Sequence, residues 1–187
     1  CTVTGGVTIT EGNEINIFTS TFPVTCFGGN NGQALAFATG GAGVFQYNWS
    51  NGATGAQVTD LEAGVYTVFV TDLKNCVEST TVNVTEPDKL IITLNSTPEI
   101  LGGADGTVSV TAIGGTPPYT YIWSTGSITD SDEDLVAGEY FVTVTDHNGC
   151  SAIDSINVVP SNCAFSASLL AINPSCFNMN DGALFPI

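Results

Sequence analysis

Apolar and polar side chains alternate one by one along most of the chain. Gly106-Thr-Val-Ser-Val-Thr-Ala-Ile113 puts Val108, Val110 and Ala112 on one side and hydroxyl residues on the other. Tyr66-Thr-Val-Phe-Val-Thr71 follows the same pattern. A period of two, carried by β-branched and aromatic residues, is the signature of strands buried on one face. Glycine pairs at 40–41, 102–103 and 114–115, Pro117-Pro118 and Asn148-Gly149 punctuate the strands. No stretch carries a helical period of 3.6. The pattern predicts strands near 90–97, 106–113, 119–124, 127–130, 139–145 and 152–159, with equivalents 74 residues earlier. Six or seven short strands in such a span predict an all-β fold, a small immunoglobulin-like sandwich.

The pattern is itself repeated. Tyr47-Asn-Trp49-Ser returns as Tyr121-Ile-Trp123-Ser, and Leu61-Glu-Ala-Gly64-Val-Tyr66 as Leu135-Val-Ala-Gly138-Glu-Tyr140. Val70-Thr-Asp72 and Cys76 return as Val144-Thr-Asp146 and Cys150, all at an offset of 74. A fixed period of this size marks a tandem array. Residues 1–12 read as the last strand of a preceding repeat. Residues 13–87 and 88–160 read as complete sandwiches, and 161–187 as the start of another. The expected form is an extended rod, its units joined with little slack by Glu86-Pro87-Asp88.

Charge narrows the function. Among 187 residues two lysines face 18 carboxylates, for a net charge of -16. Nucleic-acid phosphates and anionic membranes both call for Lys and Arg, so neither is a partner. No apolar run reaches the length of a membrane span, so membrane insertion is not expected. Hydrophobic residues at 43% suffice for a core. The six cysteines are widely spaced and contain no CxxC, which reads as extracellular disulfides rather than a zinc site.

Trp49 and Trp123 fall on the third strand of their units, where an immunoglobulin-like sandwich places its central indole. Tyr66 and Tyr140 close a Leu-x-x-Gly-x-Tyr motif with the form of a tyrosine corner. All four read as structural core. Cys-x-Gly-x-x-x-Gly, then Gly-Gly-x-x-x-Tyr-x-Trp-Ser, then Leu-x-Ala-Gly-x-Tyr-x-Val-x-Val-Thr-Asp-x-x-x-Cys resembles the SprB-type repeat. It is also similar to immunoglobulin-like modules of the polycystic-kidney-disease (PKD) type. The resemblance implies a giant adhesin of gliding Bacteroidota, exported by type IX secretion to the cell surface. Ile100 departs from it, standing where the first cysteine belongs.

Two pairings of Cys26 stay open. Cys76 lies in the same unit, and Cys150 in the next. In immunoglobulin strand order the first and last loops of one unit sit at opposite ends, beyond the roughly 6 Å that a disulfide spans. End-to-end stacking would instead bring Cys26 to Cys150, and a strand swap would reverse this. Cys163 and Cys176 are candidates for a further pair.

Catalysis is not expected. The one histidine, His147, sits in a polar turn, and no paired carboxylates face a cleft. No cofactor is expected beyond calcium. One candidate calcium set is Asp130, Asp132 and Asp134; the other bridges units through Asn31, Asp60, Asp146 and Asn148. The expected partners are neighbouring repeats of the same chain, further copies in a filament, and a surface polysaccharide or substratum. The reading is a structural and adhesive repeat segment of a cell-surface adhesin or filament. Its alternatives are an accessory module of a secreted enzyme and a pilus-like subunit completed by strand exchange.

Overall fold

A computed structural model describes residues 13–100 and 103–161, with the backbone of 169–171 and 184–186. The expectations for residues 1–12, Cys163 and Cys176 lie outside the described residues.

Residues 15–84 form six strands: β1 (Ile15–Phe22), β2 (Gly32–Gly40), β3 (Gln46–Trp49), β4 (Gln57–Leu61), β5 (Gly64–Thr71) and β6 (Val77–Val84). One sheet has the order β1-β2-β4 and the other β3-β5-β6, all pairs antiparallel. This is immunoglobulin strand order in its smallest form. The second unit repeats it with β7 (Ile91–Thr97), β9 (Gly106–Ile113), β10 (Thr120–Trp123), β11 (Ser131–Leu135), β12 (Gly138–Thr145) and β13 (Ser151–Val158). Its sheets are β11-β9-β7 and β10-β12-β13. The alternation places Val68, Val70, Val82 and Val84 inward in the first unit, and Val142, Val144 and Val158 in the second.

Trp49 and Trp123 are buried between the sheets, opposite Val68 and Val142 across the strand pair. Each indole still finds a partner: Trp49 Nε1 donates to the Gly55 carbonyl at 2.9 Å, and Trp123 Nε1 to that of Thr129 at 3.0 Å. Tyr66 donates to the Glu62 carbonyl at 3.0 Å and Tyr140 to that of Val136 at 2.9 Å. Each hydroxyl thus reaches four residues back and pins the turn into its strand. Gly106 opens β9 with no room for a side chain, since a Cβ there would lie 2.5 Å from Val158 Cγ1 and 2.8 Å from the Leu135 carbonyl oxygen.

Two elements differ from the pattern. The fourth strand lies at 131–135 and 57–61, not at 127–130 and 53–56. Residues 127–130 instead form the loop that caps Trp123, while the true strand is acidic, Ser-Asp-Glu-Asp-Leu, and so carries little alternation. A short parallel pair, β8 (Glu99–Ile100) with β14 (Pro160–Ser161), also ties the start of the second unit to its end.

Both fourth strands carry a bulge, between Asp132 and Leu135 and at the matching place beside Gly32 and Ala34. Asp134 (φ 56) and Asp60 (φ 59) occupy these bulges in the left-handed region. A short polar side chain tolerates that region, and a β-branched one does not. Asp134→Gly is expected to keep stability within about 0.5 kcal/mol, and Asp134→Val to lose about 1–2 kcal/mol. Equal urea midpoints for the Val and Gly variants would contradict this role.

Candidate functional site

The described residues hold no assembled acid, base and nucleophile; their most elaborate side-chain arrangement is the junction between the two units. It is built from the first loop of one unit and the last loop of the next.

The first loop, residues 23–31, leaves β1 and turns back into β2. Val24 is buried and its N–H donates to the Thr85 carbonyl at 2.8 Å, just past the end of β6. Asn31 closes the loop: its Oδ1 accepts the Thr25 N–H at 2.9 Å, and its amide donates to Thr25 Oγ1. Glu86, from the link between units, accepts the Gly28 N–H. Cys26 is therefore presented from a loop fixed at both ends.

The last loop of the second unit is organised by Asp146. This carboxylate is 5% exposed and has no cation among its hydrogen-bond partners. Oδ1 accepts the N–H groups of Asn148 (2.9 Å) and Cys150 (2.8 Å), and Oδ2 accepts that of Thr116 (2.8 Å). Burial pushes its pKa up, but backbone N–H bonds from Thr116, Cys150, Asn148 and Gly149 outweigh it and hold the group below the ordinary 3.8. Asp72 makes the matching cage in the first unit. Burial again raises its pKa, and the N–H groups of Cys76, Ala42 and Lys74, with the Lys74 charge, bring it below 3.8.

The two loops meet covalently. Cys26 and Cys150 form a disulfide with Cα atoms 5.7 Å apart, across a sequence separation of 124. Beside it, Asn148 Nδ2 donates to the Thr25 carbonyl at 3.2 Å and to Thr116 Oγ1 at 3.0 Å. A cleft of ≈ 260 Å³ remains between the units, lined among others by Phe27, Pro87, Leu90 and Asp146. Of the two pairings open to Cys26, the structure contains the inter-unit one, and Cys76 is exposed and free.

The bridging set of Asn31, Asp60, Asp146 and Asn148 divides. Asn31 and Asn148 converge on Thr25, and Asp146 gives both oxygens to backbone N–H groups. The Asp60 carboxylate accepts from Thr59, inside its own strand. In the other set Asp132 accepts from Thr125 and from the Glu133 N–H, and Asp134 fills the bulge. Among the described residues no three His, Cys, Asp or Glu side chains gather to hold a metal ion. The carboxylate cage is what a sequence reading misses. Its signal is a Thr-Asp repeated 74 residues apart and followed four residues on by cysteine.

Two outcomes follow from this geometry. A carboxylate with a depressed folded-state pKa stabilises fully above its unfolded value, and that stability is lost as pH falls through the folded value. Thermal stability is therefore expected to fall below about pH 3.8 as Asp72 and Asp146 take up protons. The Asp146→Asn variant should already be weakened at pH 7 and show a shallower acid dependence. An identical acid profile would remove Asp146 from the account. For the disulfide, a loop of over 100 residues sets a ceiling of about 5 kcal/mol on chain-entropy stabilisation. Because each unit has its own core, Cys150→Ser should cost far less than that while broadening the inter-unit distance seen by small-angle scattering. An unchanged scattering profile would mean that the link alone sets the orientation.

Residues 19–54 and 101–128 match the family model of the SprB repeat, a repeat of cell-surface proteins. No curated protein matches the chain. Among solved structures it is similar to the N-terminal eight Ig domains of Down Syndrome Cell Adhesion Molecule isoform 1.30.30, with 14% identity and a TM-score of 0.41. That match covers 80% of this chain and 25% of the other, so this chain spans a quarter of its length. The amphioxus IgVJ-C2 molecule is similar at 15% identity and a TM-score of 0.32, over 80% of this chain and 98% of that one. Fibronectin(III)-like modules of Clostridium thermocellum CbhA are similar at 14% identity and 0.30, over 71% and 86%. The two matched segments fall one in each sandwich.

Proposed function

We propose that this chain is a structural and adhesive segment of a large exported cell-surface adhesin or filament, serving attachment or gliding, and that it has no catalytic role. The observation that carries the reading is the junction: two SprB-repeat sandwiches joined at two points, by a short link and by the Cys26–Cys150 disulfide. Two attachments resist bending and twisting as one does not. A disulfide also persists in the oxidising space outside the cell. Small sandwiches in series add reach without enlarging any core. A net charge of -16 keeps neighbouring rods apart and discourages pairing of exposed strand edges.

Antibody fragments raised against folded residues 13–161 are expected to label unpermeabilised source cells and to lower their attachment to glass or latex. The reduced parent polypeptide should run far above the 19.3 kDa of this chain. Full surface labelling with undiminished attachment would overturn the adhesive role. A parent of 19.3 kDa would overturn the array.

A further inference from the structure

Cys76 is exposed and free. It lies 74 residues before Cys150, at the same point of the same loop. Its surroundings are built in the same way. Asp72 Oδ1 accepts the N–H groups of Lys74 (2.8 Å) and Cys76 (2.9 Å), and Oδ2 accepts that of Ala42 (2.8 Å). The chain entering the unit is anchored alike: the Gly41 N–H donates to the Asn13 carbonyl at 3.2 Å, as Gly115 does to Asp88 at 2.8 Å. In the second unit the cysteine held in this frame is bonded to the first loop of its neighbour. In the first unit the frame is set, and among the described residues its cysteine is exposed and free.

The skin of this end is a second, independent feature. Val44, Leu73 and Val77 are 71%, 68% and 57% exposed. Leu73 and Val77 flank Cys76 in sequence, and Val44 sits in the loop that Asp72 ties to the same turn. Their counterparts in the second unit, which meets its neighbour, are Pro118, His147 and Ser151. Three exposed aliphatic side chains around one thiol suit a surface covered by protein.

We propose that Cys76 is the docking and crosslinking site for the first-loop cysteine of another SprB-type unit, lying ahead of the first sandwich as the first lies ahead of the second. The inference rests on the array reading above and names its covalent connection. The bond forms by thiol–disulfide exchange with a small disulfide such as oxidised glutathione. The two protein thiols give up two electrons and two protons to form one S–S bond, and the oxidant's S–S bond is reduced to two thiols.

The test is a tandem duplication in the full chain, residues 1–89 followed by 15–187, so that the native link leads from a first copy of the sandwich into a second. The first copy carries Cys76→Ser, to remove the competing thiol, and Phe27→Tyr, as a mass tag beside its Cys26. After refolding in a glutathione buffer, a non-reduced digest is expected to contain the tagged Cys26 peptide joined to Cys76 of the second copy. Maleimide labelling of that Cys76 should be lost. The Cys26–Cys150 peptide in the same digest reports correct folding. If that bridge is present while Cys76 stays fully alkylated and the tagged Cys26 is free, the inference is overturned and the array reading stands. Cys76 joined instead to a second molecule overturns it too. Should the duplicated chain not fold, the parent protein taken unreduced from cells decides. Cys76 bridged to a Cys-x-Gly peptide supports the proposal, and Cys76 recovered as a free thiol refutes it.

Discussion

A buried carboxylate held by backbone N–H groups governs the end of each sandwich. Asp146 sits among backbone N–H groups, and the turn from 146 to 150 is shaped around it. The arrangement is stable because the charge is repaid locally: several N–H donors solvate one anion about as water would, in a fixed geometry. Without that anion the N–H donors of Thr116, Asn148 and Cys150 would lose their acceptor. Cys150 is aimed by this turn, and through Cys150 the junction is closed. The electrostatics of a single side chain therefore reaches from a loop to the relation between two domains.

The junction also explains how two such acidic units are held against each other. A short link alone leaves a hinge with rotation about one axis. Adding the Cys26–Cys150 bond and the Asn148–Thr25 hydrogen bond, both displaced from the link, converts the hinge into a clamp. Each unit keeps its own core around one indole.

Several acidic residues shape the backbone around them. Asp60 and Asp134 take the left-handed positions of two bulges, and Asp72 and Asp146 cage two turns. Their recurrence at one spacing is visible in the sequence, but recurrence does not say whether a carboxylate faces a cation or an N–H group. The fourth strand is obscured for a related reason. Asp132, Glu133 and Asp134 erase the alternation that marks strands elsewhere, and the bulge shifts what pattern remains.

What the chain determines by itself is whatever depends on near neighbours. Period two with β-branched residues makes half-buried strands, and a repeat of 74 residues makes two like sandwiches with Trp49 and Trp123 inside. Those properties follow from local sterics and from the need to bury one face of each strand. Only the tertiary structure decided the partner of Cys26, since a residue 124 positions away is brought to 5.7 Å by stacking and not by sequence. It alone showed that Asp146 accepts hydrogen bonds from backbone N–H groups, because those donors come from two separate loops. Long-range closeness is a property of how faces and ends pack, and no local pattern encodes it.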